Sequence, residues 1–133
     1  MKSDKTKIRI LLAEDNAINQ IYIKYVLTKH DFIVDTAING IQVIEKFEQN
    51  KYDIILMDGY MSKMDGFEAA RIIREKSKKS GHHHIPIIAI TGYDIDKNSE
   101  KIINAQIDDY LSKPINEEKL IKLINELIVC KKS

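Results

Sequence analysis

Short apolar runs alternate with longer amphipathic segments along the whole chain. The short runs have the length of a β-strand and are rich in isoleucine, a residue that favours strands. The segments between them carry apolar residues at helical spacing. This alternation is typical of a parallel sheet that is covered by helices on both faces. It predicts an α/β domain built from five strand–helix units.

The predicted strands lie near Ile8 to Ala13, Phe32 to Ala37, Tyr52 to Asp58, Ile85 to Thr91 and Ile107 to Leu111. The predicted helices are Asn16 to Lys29, Asn39 to Gln49, Asp65 to Lys78, a weak one at Asp94 to Asn104, and Glu117 to Val129. The last helix has the clearest pattern, because its apolar residues form one stripe. That stripe comprises Leu120, Leu123, Ile124, Leu127 and Ile128.

Size and charge narrow the function classes. A chain of 133 residues with 44% hydrophobic residues suits a single domain, with a core at about residues 7–130. A net charge of +1 argues against a dedicated nucleic-acid or anionic-membrane surface. The apolar runs are shorter than the roughly 20 residues of a membrane span, and the charged start does not resemble a secretory signal. We therefore expect a cytoplasmic domain without a membrane segment.

Cysteine and histidine offer weak candidates for chemistry. The single cysteine, Cys130, lies in an apolar stripe near the C-terminus, which favours a packed thiol over a nucleophile. Three adjacent histidines, His82 to His84, lie in a polar connection. Neighbours on an extended segment point to alternating sides and do not converge easily on one metal ion, so a solvated loop is favoured.

Polar residues gather where the predicted strands end. In open α/β sheets, ligands bind beyond the carboxyl ends of the strands, so these residues should share one crevice. Carboxylate oxygens with room for water suit Mg²⁺ better than a soft metal. The residues concerned are Glu14, Asp15, Asp58, Thr91 and Lys113.

Four segments, in this order and spacing, resemble the motifs of the response-regulator receiver family. They are Leu11 to Asn16 (LLAEDN), Ile54 to Asp58 (IILMD), Met64 to Phe67 (MDGF) and Asp109 to Pro114 (DYLSKP). The stretch EDNAINQ, from Glu14 to Gln20, is most similar to receivers of hybrid sensor histidine kinases and multistep phosphorelays. The resemblance covers the chain and implies a CheY-like, flavodoxin-like fold: a doubly wound five-stranded parallel sheet, strand order 2-1-3-4-5, with five helices.

The resemblance also implies the chemistry. By resemblance, Asp58 would be the phosphoacceptor and Mg²⁺ the cofactor. Asp15 and Asp58 bind the metal directly, Glu14 acts through water, and the backbone carbonyl of Tyr60 is a further ligand. Lys113 supplies positive charge beside the phosphoryl group.

Further residues form the implied switch. Thr91 moves toward the phosphoryl group, and Tyr110 turns inward. The surface of the fourth helix, fifth strand and fifth helix then changes. The bond between Lys113 and Pro114 is cis by resemblance, which aims the lysine at the site.

Five of these residues also fit a plainer structural role. A solvated acidic turn would explain Glu14 and Asp15, and a surface ion pair would explain Lys113. A strand end would explain Thr91, and a half-packed edge position would explain Tyr110.

The chain departs from the family pattern at two positions. Ser62 replaces the usual proline after the phosphoacceptor, which leaves that loop less restricted. Gln106 replaces a usual glycine and carries backbone strain if its φ is positive. Separately, Tyr60 and Tyr93 each follow a site residue by two positions, and we hypothesise that they shield the acyl phosphate from water.

The resemblance implies a signalling phosphoacceptor rather than an enzyme, with slow self-phosphorylation from small donors and slow self-dephosphorylation. Its donor would be a histidine kinase or a histidine-phosphotransfer domain, docking near Ile18 and Ile21 on the first helix. Its downstream partner would be an effector domain or protein. The chain itself would be either a monomer or a dimer that forms on phosphorylation.

Three alternatives remain. A receiver that only binds proteins keeps the fold without the chemistry. An FMN-binding electron carrier needs a phosphate-binding loop where this chain has Glu14 and Asp15. A phosphatase with an aspartate nucleophile needs a second acid at the position of Tyr60.

Overall fold

The computed structural model describes residues 7–61, 63–80, 84–92 and 100–132. Five strands and five helices alternate along the chain. They are β1 (Arg9–Ala13), α1 (Ala17–Lys29), β2 (Ile33–Ala37), α2 (Gly40–Gln49), β3 (Ile54–Asp58), α3 (Gly66–Ser80), β4 (Ile87–Thr91), α4 (Glu100–Ala105), β5 (Asp109–Ser112) and α5 (Glu117–Lys132).

The strands form one parallel sheet in the order β2-β1-β3-β4-β5. Ala13 at the end of β1 pairs with Ala37 and Met57. Asp58 pairs with Ile90, and Thr91 pairs with Ser112. This register brings the carboxyl ends of the strands to one edge of the sheet. The predicted fold and strand order are confirmed.

Alternate residues of each strand belong to two separate cores. Leu11 on β1 packs into the cluster beneath α2, α3 and α4, whereas Leu12 packs into the cluster beneath α1 and α5. Both faces of the sheet are therefore buried, which explains why its central strands are apolar except at their ends. The predicted stripe on α5 is confirmed: Leu120, Ile124 and Ile128 are buried, and Leu123 and Leu127 are partly buried against the same cluster.

Three strands begin about two residues later than predicted, for local reasons. At the start of β3, the Asp53 carboxylate accepts the Arg9 N–H at 2.9 Å in place of a backbone carbonyl. Before β5, the Asp108 carboxylate accepts the Ile87 N–H at 2.7 Å in the same way. Before β4, Pro86 has no N–H to donate to the sheet.

The helix predicted from residue 94 is described from Glu100 to Ala105, and residues 94–99 lie outside the described residues. It ends in a Schellman motif, in which the N–H groups of Gln106 and Ile107 reach the carbonyls of Ile103 and Ile102. Gln106 has a φ of 55°, so the positive φ considered for this position is observed.

The structure describes part of the histidine run and the backbone position of Cys130. His84 Nε2 lies 2.8 Å from Asp108 Oδ1, while His82 and His83 lie outside the described residues. Cys130 lies on α5, but its side chain is outside the described part of the structure. Among the residues described, no helix is both long and apolar enough to cross a bilayer.

Candidate phosphorylation site

Three acids meet at the carboxyl edge of the sheet. Glu14 directly follows β1, Asp15 comes next, and Asp58 is the last residue of β3. One carboxylate oxygen of each lies within 4.8 Å of those of the other two. Glu14 and Asp58 are buried, whereas Asp15 is exposed. The acidic turn is thus only partly solvated, and its first acid faces the interior of the site.

Lys113 joins the acids from the turn after β5. Its Nζ lies 3.2 Å from Asp58 Oδ2 and 3.3 Å from Glu14 Oε1. Burial by itself would lower the pKa of Lys113, but the attraction of Asp58 and Glu14 outweighs it and raises the pKa. The lysine is therefore a positive charge inside the site. It pairs with two buried carboxylates, so it is not an ordinary surface ion pair.

The ionised form of Glu14 is disfavoured by its surroundings. Burial raises the pKa of its carboxyl, the nearby Asp58 charge raises it further, and the Asn16 N–H and Lys113 oppose this. Its Oε2 accepts the Asn16 N–H at 3.1 Å. Its Oε1 is buried and makes no hydrogen bond within the described residues; its contact there is the ion pair with Lys113.

These features fit a divalent cation. Three carboxylates face one ammonium group, so the cluster has an excess of negative charge. The donor set is made of carboxylate oxygens, which Mg²⁺ prefers. A buried Glu14 carboxylate oxygen, which accepts no hydrogen bond from the described part of the chain, adds a further place where positive charge or a bound water would be stabilised.

The backbone around Asp58 orients its carboxylate. Oδ1 accepts the Tyr60 N–H at 3.1 Å, while Oδ2 faces Lys113. The start of α3 passes directly over this turn, and a Cβ on Gly66 would collide with the Asp58 carbonyl oxygen. The glycine of the MDGF segment is thus needed for close packing of α3 against the end of β3.

Thr91 and Tyr110 lie on the neighbouring strands. Thr91 is the last residue of β4 and is fully buried, and its carbonyl oxygen accepts the Lys113 N–H at 2.6 Å. The bond between Lys113 and Pro114 is cis. Tyr110 is half-buried on β5 and packs against the core beneath α2, α3 and α4. The turn after β5 therefore links Thr91 to the site lysine.

The Tyr60 side chain lies at the rim. It is 46% exposed, and its ring meets the edge of Phe67 with the centroids 5.7 Å apart. Tyr93 and Ser62 lie outside the described residues. Only the first of the two hypothesised shielding tyrosines can therefore be located within the described residues.

Gln20, in the EDNAINQ stretch, makes a contact with the site that the sequence does not predict. Its side-chain Nε2 donates to the Glu14 carbonyl oxygen at 3.0 Å. Asn16, which ends the same quoted turn, caps α1 by accepting the Asn19 N–H at 2.9 Å. The cap has a recognisable signal in the sequence, an Asn just before an amphipathic segment, but the Gln20 contact has none.

A parallel sheet in this order, with an acid cluster and a lysine at its carboxyl edge, defines a receiver domain. The chain belongs to the response regulator receiver domain family, which matches residues 10–125. Receiver domains are the phosphoacceptor modules of two-component and phosphorelay systems, and the cluster of Glu14, Asp15 and Asp58 is consistent with their active site.

Relatives by sequence include hybrid histidine kinases. Hybrid signal transduction histidine kinase I of Dictyostelium discoideum is 41% identical over an alignment of length 128 that covers 92% of this chain and 7% of that protein. Kinase B of the same organism is 36% identical over an alignment of length 127 that covers 89% of this chain and 6% of that protein. The chain thus spans a small fraction of the length of both relatives.

Two solved structures are informative about the site. One is the Saccharomyces cerevisiae complex of the histidine phosphotransfer protein Ypd1 with the receiver domain of Ssk1 (TM-score 0.85, 31% identity, 91% of this chain and 88% of that chain). The other is the receiver domain of a sensor histidine kinase from Pseudomonas aeruginosa, with magnesium in its active-site cleft (TM-score 0.82, 33% identity, 92% of this chain and 98% of that chain).

Proposed function

We propose that this chain is a single receiver domain that accepts a phosphoryl group on Asp58 from a phosphohistidine. The observation that carries the proposal is the placement of a buried Asp58 carboxylate 3.2 Å from Lys113, within a cluster of three acids. A carboxylate can attack phosphorus to form an acyl phosphate when the incoming negative charge is compensated. Lys113 lies where that compensation is needed.

The metal ligands would be Asp15, Asp58 and the Tyr60 carbonyl directly, with Glu14 through water. Bound Mg²⁺ would neutralise the acids and the phosphoryl oxygens. In formal terms, three carboxylates, one divalent cation and one ammonium sum to about zero, and a dianionic phosphoaspartate brings the site to about −1. The magnesium-containing relative supports this assignment.

In the transfer, an Asp58 carboxylate oxygen forms a bond to phosphorus while the bond between phosphorus and the donor imidazole nitrogen breaks. The departing imidazole takes a proton from solvent. The residues of this chain orient the acceptor: the Tyr60 N–H holds one carboxylate oxygen, and Lys113 holds the other. Self-dephosphorylation is the attack of water on the same phosphorus.

The donor would be a histidine kinase or a histidine-phosphotransfer protein. The complex of the yeast relative with Ypd1 supports the second kind. The first turns of α1 lie beside the acid turn and expose two isoleucines, Ile18 at 77% and Ile21 at 69%. An exposed apolar surface next to the acceptor is suited to docking a donor protein.

Phosphorylation would be read out at α4, β5 and α5. Thr91 would bond to the phosphoryl group, and its carbonyl already bonds to the Lys113 N–H at the end of β5. Tyr110, half-buried on the same strand, would then move inward. An effector or a second copy of the domain would recognise the changed surface. To reverse the ratio of active to inactive conformations from 1:99 to 99:1, the phosphoryl group must stabilise the active conformation by about 5.5 kcal/mol relative to the inactive one.

The test is intact-mass analysis after incubation with acetyl phosphate, with and without Mg²⁺. The wild type should gain the mass of one phosphoryl group when Mg²⁺ is present, and Asp58→Asn should gain none. Asp53→Asn is the matched control, because Asp53 lies just before the other end of β3 and bonds the Arg9 N–H. A wild type that is phosphorylated neither by acetyl phosphate nor by phosphohistidine proteins would instead be a protein-binding receiver.

A further inference from the structure

The turn that carries two of the three site acids is held by contacts with the start of α1. Gln20 Nε2 donates to the Glu14 carbonyl oxygen at 3.0 Å. At the other end of the turn, the Asn16 N–H donates to Glu14 Oε2 at 3.1 Å, and the Asn16 side chain caps the helix. Glu14, Asp15 and Asn16 are therefore tied to the first turns of α1.

The Gln20 hydrogen bond acts on the peptide group between the two acids. The Glu14 carbonyl belongs to the planar unit that ends at the Asp15 Cα, so fixing the carbonyl also fixes the direction in which Asp15 leaves the chain. Asp15 is exposed, whereas Glu14 is fully buried. The backbone of this turn therefore contributes to the position of Asp15.

The Gln20 hydrogen bond opposes electrostatic repulsion among the three acids. The oxygens of three acids lie within 4.8 Å of one another, and like charges at that distance push the groups apart. Asp58 ends a central strand and Glu14 is buried, whereas Asp15 is exposed. A hydrogen bond that holds the peptide between Glu14 and Asp15 opposes the displacement that this repulsion favours.

We propose that Gln20 is a positioning residue for the magnesium site, which it holds in a binding-competent shape through the peptide between Glu14 and Asp15. The inference rests on the proposed function and deepens it. Removing a group that hydrogen-bonds to a metal ligand and orients it usually weakens metal binding by about tenfold or more. The Gln20 bond reaches a ligand through the backbone, so the expected loss is about tenfold.

A second glutamine provides a matched control. Gln42 lies in the first turn of α2, and its Oε1 accepts the Ile38 N–H at 3.0 Å in the turn after β2. It therefore also contacts the preceding turn from a helix start, at a strand that carries no site acid, although Gln42 accepts a hydrogen bond where Gln20 donates one. Gln42→Met and Gln20→Met each remove one such contact, and Gln20→Asn keeps the amide but is one methylene too short for the Glu14 contact.

The experiment measures binding of Mn²⁺, as a substitute for Mg²⁺, from the electron paramagnetic resonance signal of the free ion. The dissociation constant should rise about tenfold in Gln20→Met and Gln20→Asn and stay unchanged in Gln42→Met. Phosphorylation by acetyl phosphate should then need more Mg²⁺ for half the maximal rate, while the rate at saturating Mg²⁺ matches the wild type.

The outcomes separate the two proposals. Wild-type affinity in both Gln20 variants would overturn the role of Gln20 and leave the proposed function intact. Equal weakening in Gln42→Met would also overturn it, because the effect would then be general to these helix starts. A wild type that binds no Mn²⁺ and accepts no phosphoryl group would overturn the proposed function itself.

Discussion

Gln106 has a backbone conformation that suits glycine better than glutamine. Its φ is 55°, and it forms the left-handed position of the turn that ends α4. Arg74 stabilises the turn from the core, since its Nε and Nη2 donate to the Gln106 carbonyl oxygen at 3.2 and 2.9 Å. The backbone contacts thus compensate for an unfavourable residue.

Replacing Gln106 with glycine should stabilise the protein. The left-handed conformation costs an ordinary residue about 1–2 kcal/mol, and the greater freedom of glycine in the unfolded chain offsets part of that. We expect a net gain of about 0.5–1 kcal/mol in the free energy of unfolding, measured by urea titration. Gln106→Ala removes the same side chain but keeps the Cβ, so it should give no gain. An equal effect of both substitutions would contradict the backbone explanation.

Tyr60 lies beside the phosphoacceptor, and the hypothesis that it shields the acyl phosphate can be tested together with Tyr93. Replacing both with serine should open the rim to water and speed the loss of the phosphoryl group. The protein is first phosphorylated with acetyl phosphate, and the loss of the phosphoryl mass over time, followed by intact-mass analysis, measures this rate. Tyr25→Ser is the control, because Tyr25 is an exposed tyrosine on α1. An unchanged decay rate in the double variant would contradict the hypothesis.

At the scale of elements, α1 combines two tasks, since it holds the acid turn and exposes Ile18 and Ile21. Ile18→Glu or Ile21→Glu should reduce transfer from phosphorylated Ypd1, the partner of the yeast relative, by about tenfold or more. Phosphorylation by acetyl phosphate should be unaffected. Ile103→Glu is the matched control, since Ile103 is 58% exposed but lies on α4. Unchanged transfer in the α1 variants would place donor docking elsewhere.

The end of α1 is joined to the start of α5 by Glu117, which lies 2.9 Å from Lys29 Nζ and 3.0 Å from His30 Nε2. Hydrogen bonds from Lys29 and His30 lower the pKa of Glu117. A carboxyl with a lowered folded-state pKa stabilises the fold above its ordinary pKa, and this contribution is lost as the pH falls through the lowered value.

Glu117→Gln should therefore lower the melting temperature slightly at neutral pH and make no difference at strongly acid pH. The effect is small because the pair is solvent-exposed and screened. Thermal unfolding over a pH series measures it, with the neighbouring exposed Glu118→Gln as control. A constant difference between wild type and variant at every pH would show that the ion pair is not the cause.

For the molecule as a whole, the metal site connects signalling chemistry to stability. A ligand that binds the folded state alone stabilises it by mass action, by about 1.4 kcal/mol at ten times its dissociation constant. Mg²⁺ should therefore raise the melting temperature more than sodium chloride of equal ionic strength does. Asp15→Asn should lose this difference. If Mg²⁺ and sodium act alike on the wild type, the acid cluster does not hold the metal.

The sequence by itself determined the class of fold and pointed to acids at the ends of two strands as candidate site residues. Strand and helix periodicities are local signals, and the isoleucine-rich runs and the α5 stripe were read correctly from neighbouring residues. Likewise, Glu14, Asp15 and Asp58 stand out because acids follow apolar strands directly in the sequence. The strand order, however, came from family resemblance, because no local pattern specifies which strands are neighbours.

The tertiary structure decided what the site residues touch. Lys113 and Asp58 are 55 positions apart, and the pairing of β3, β4 and β5 brings them to 3.2 Å. The late starts of β3 and β5 depend on carboxylates that accept N–H groups from other strands. The Gln20 bond to Glu14 also depends on how α1 turns away from β1. Such contacts depend on the position of the whole backbone, whereas periodicity reports only which side of a local segment is apolar.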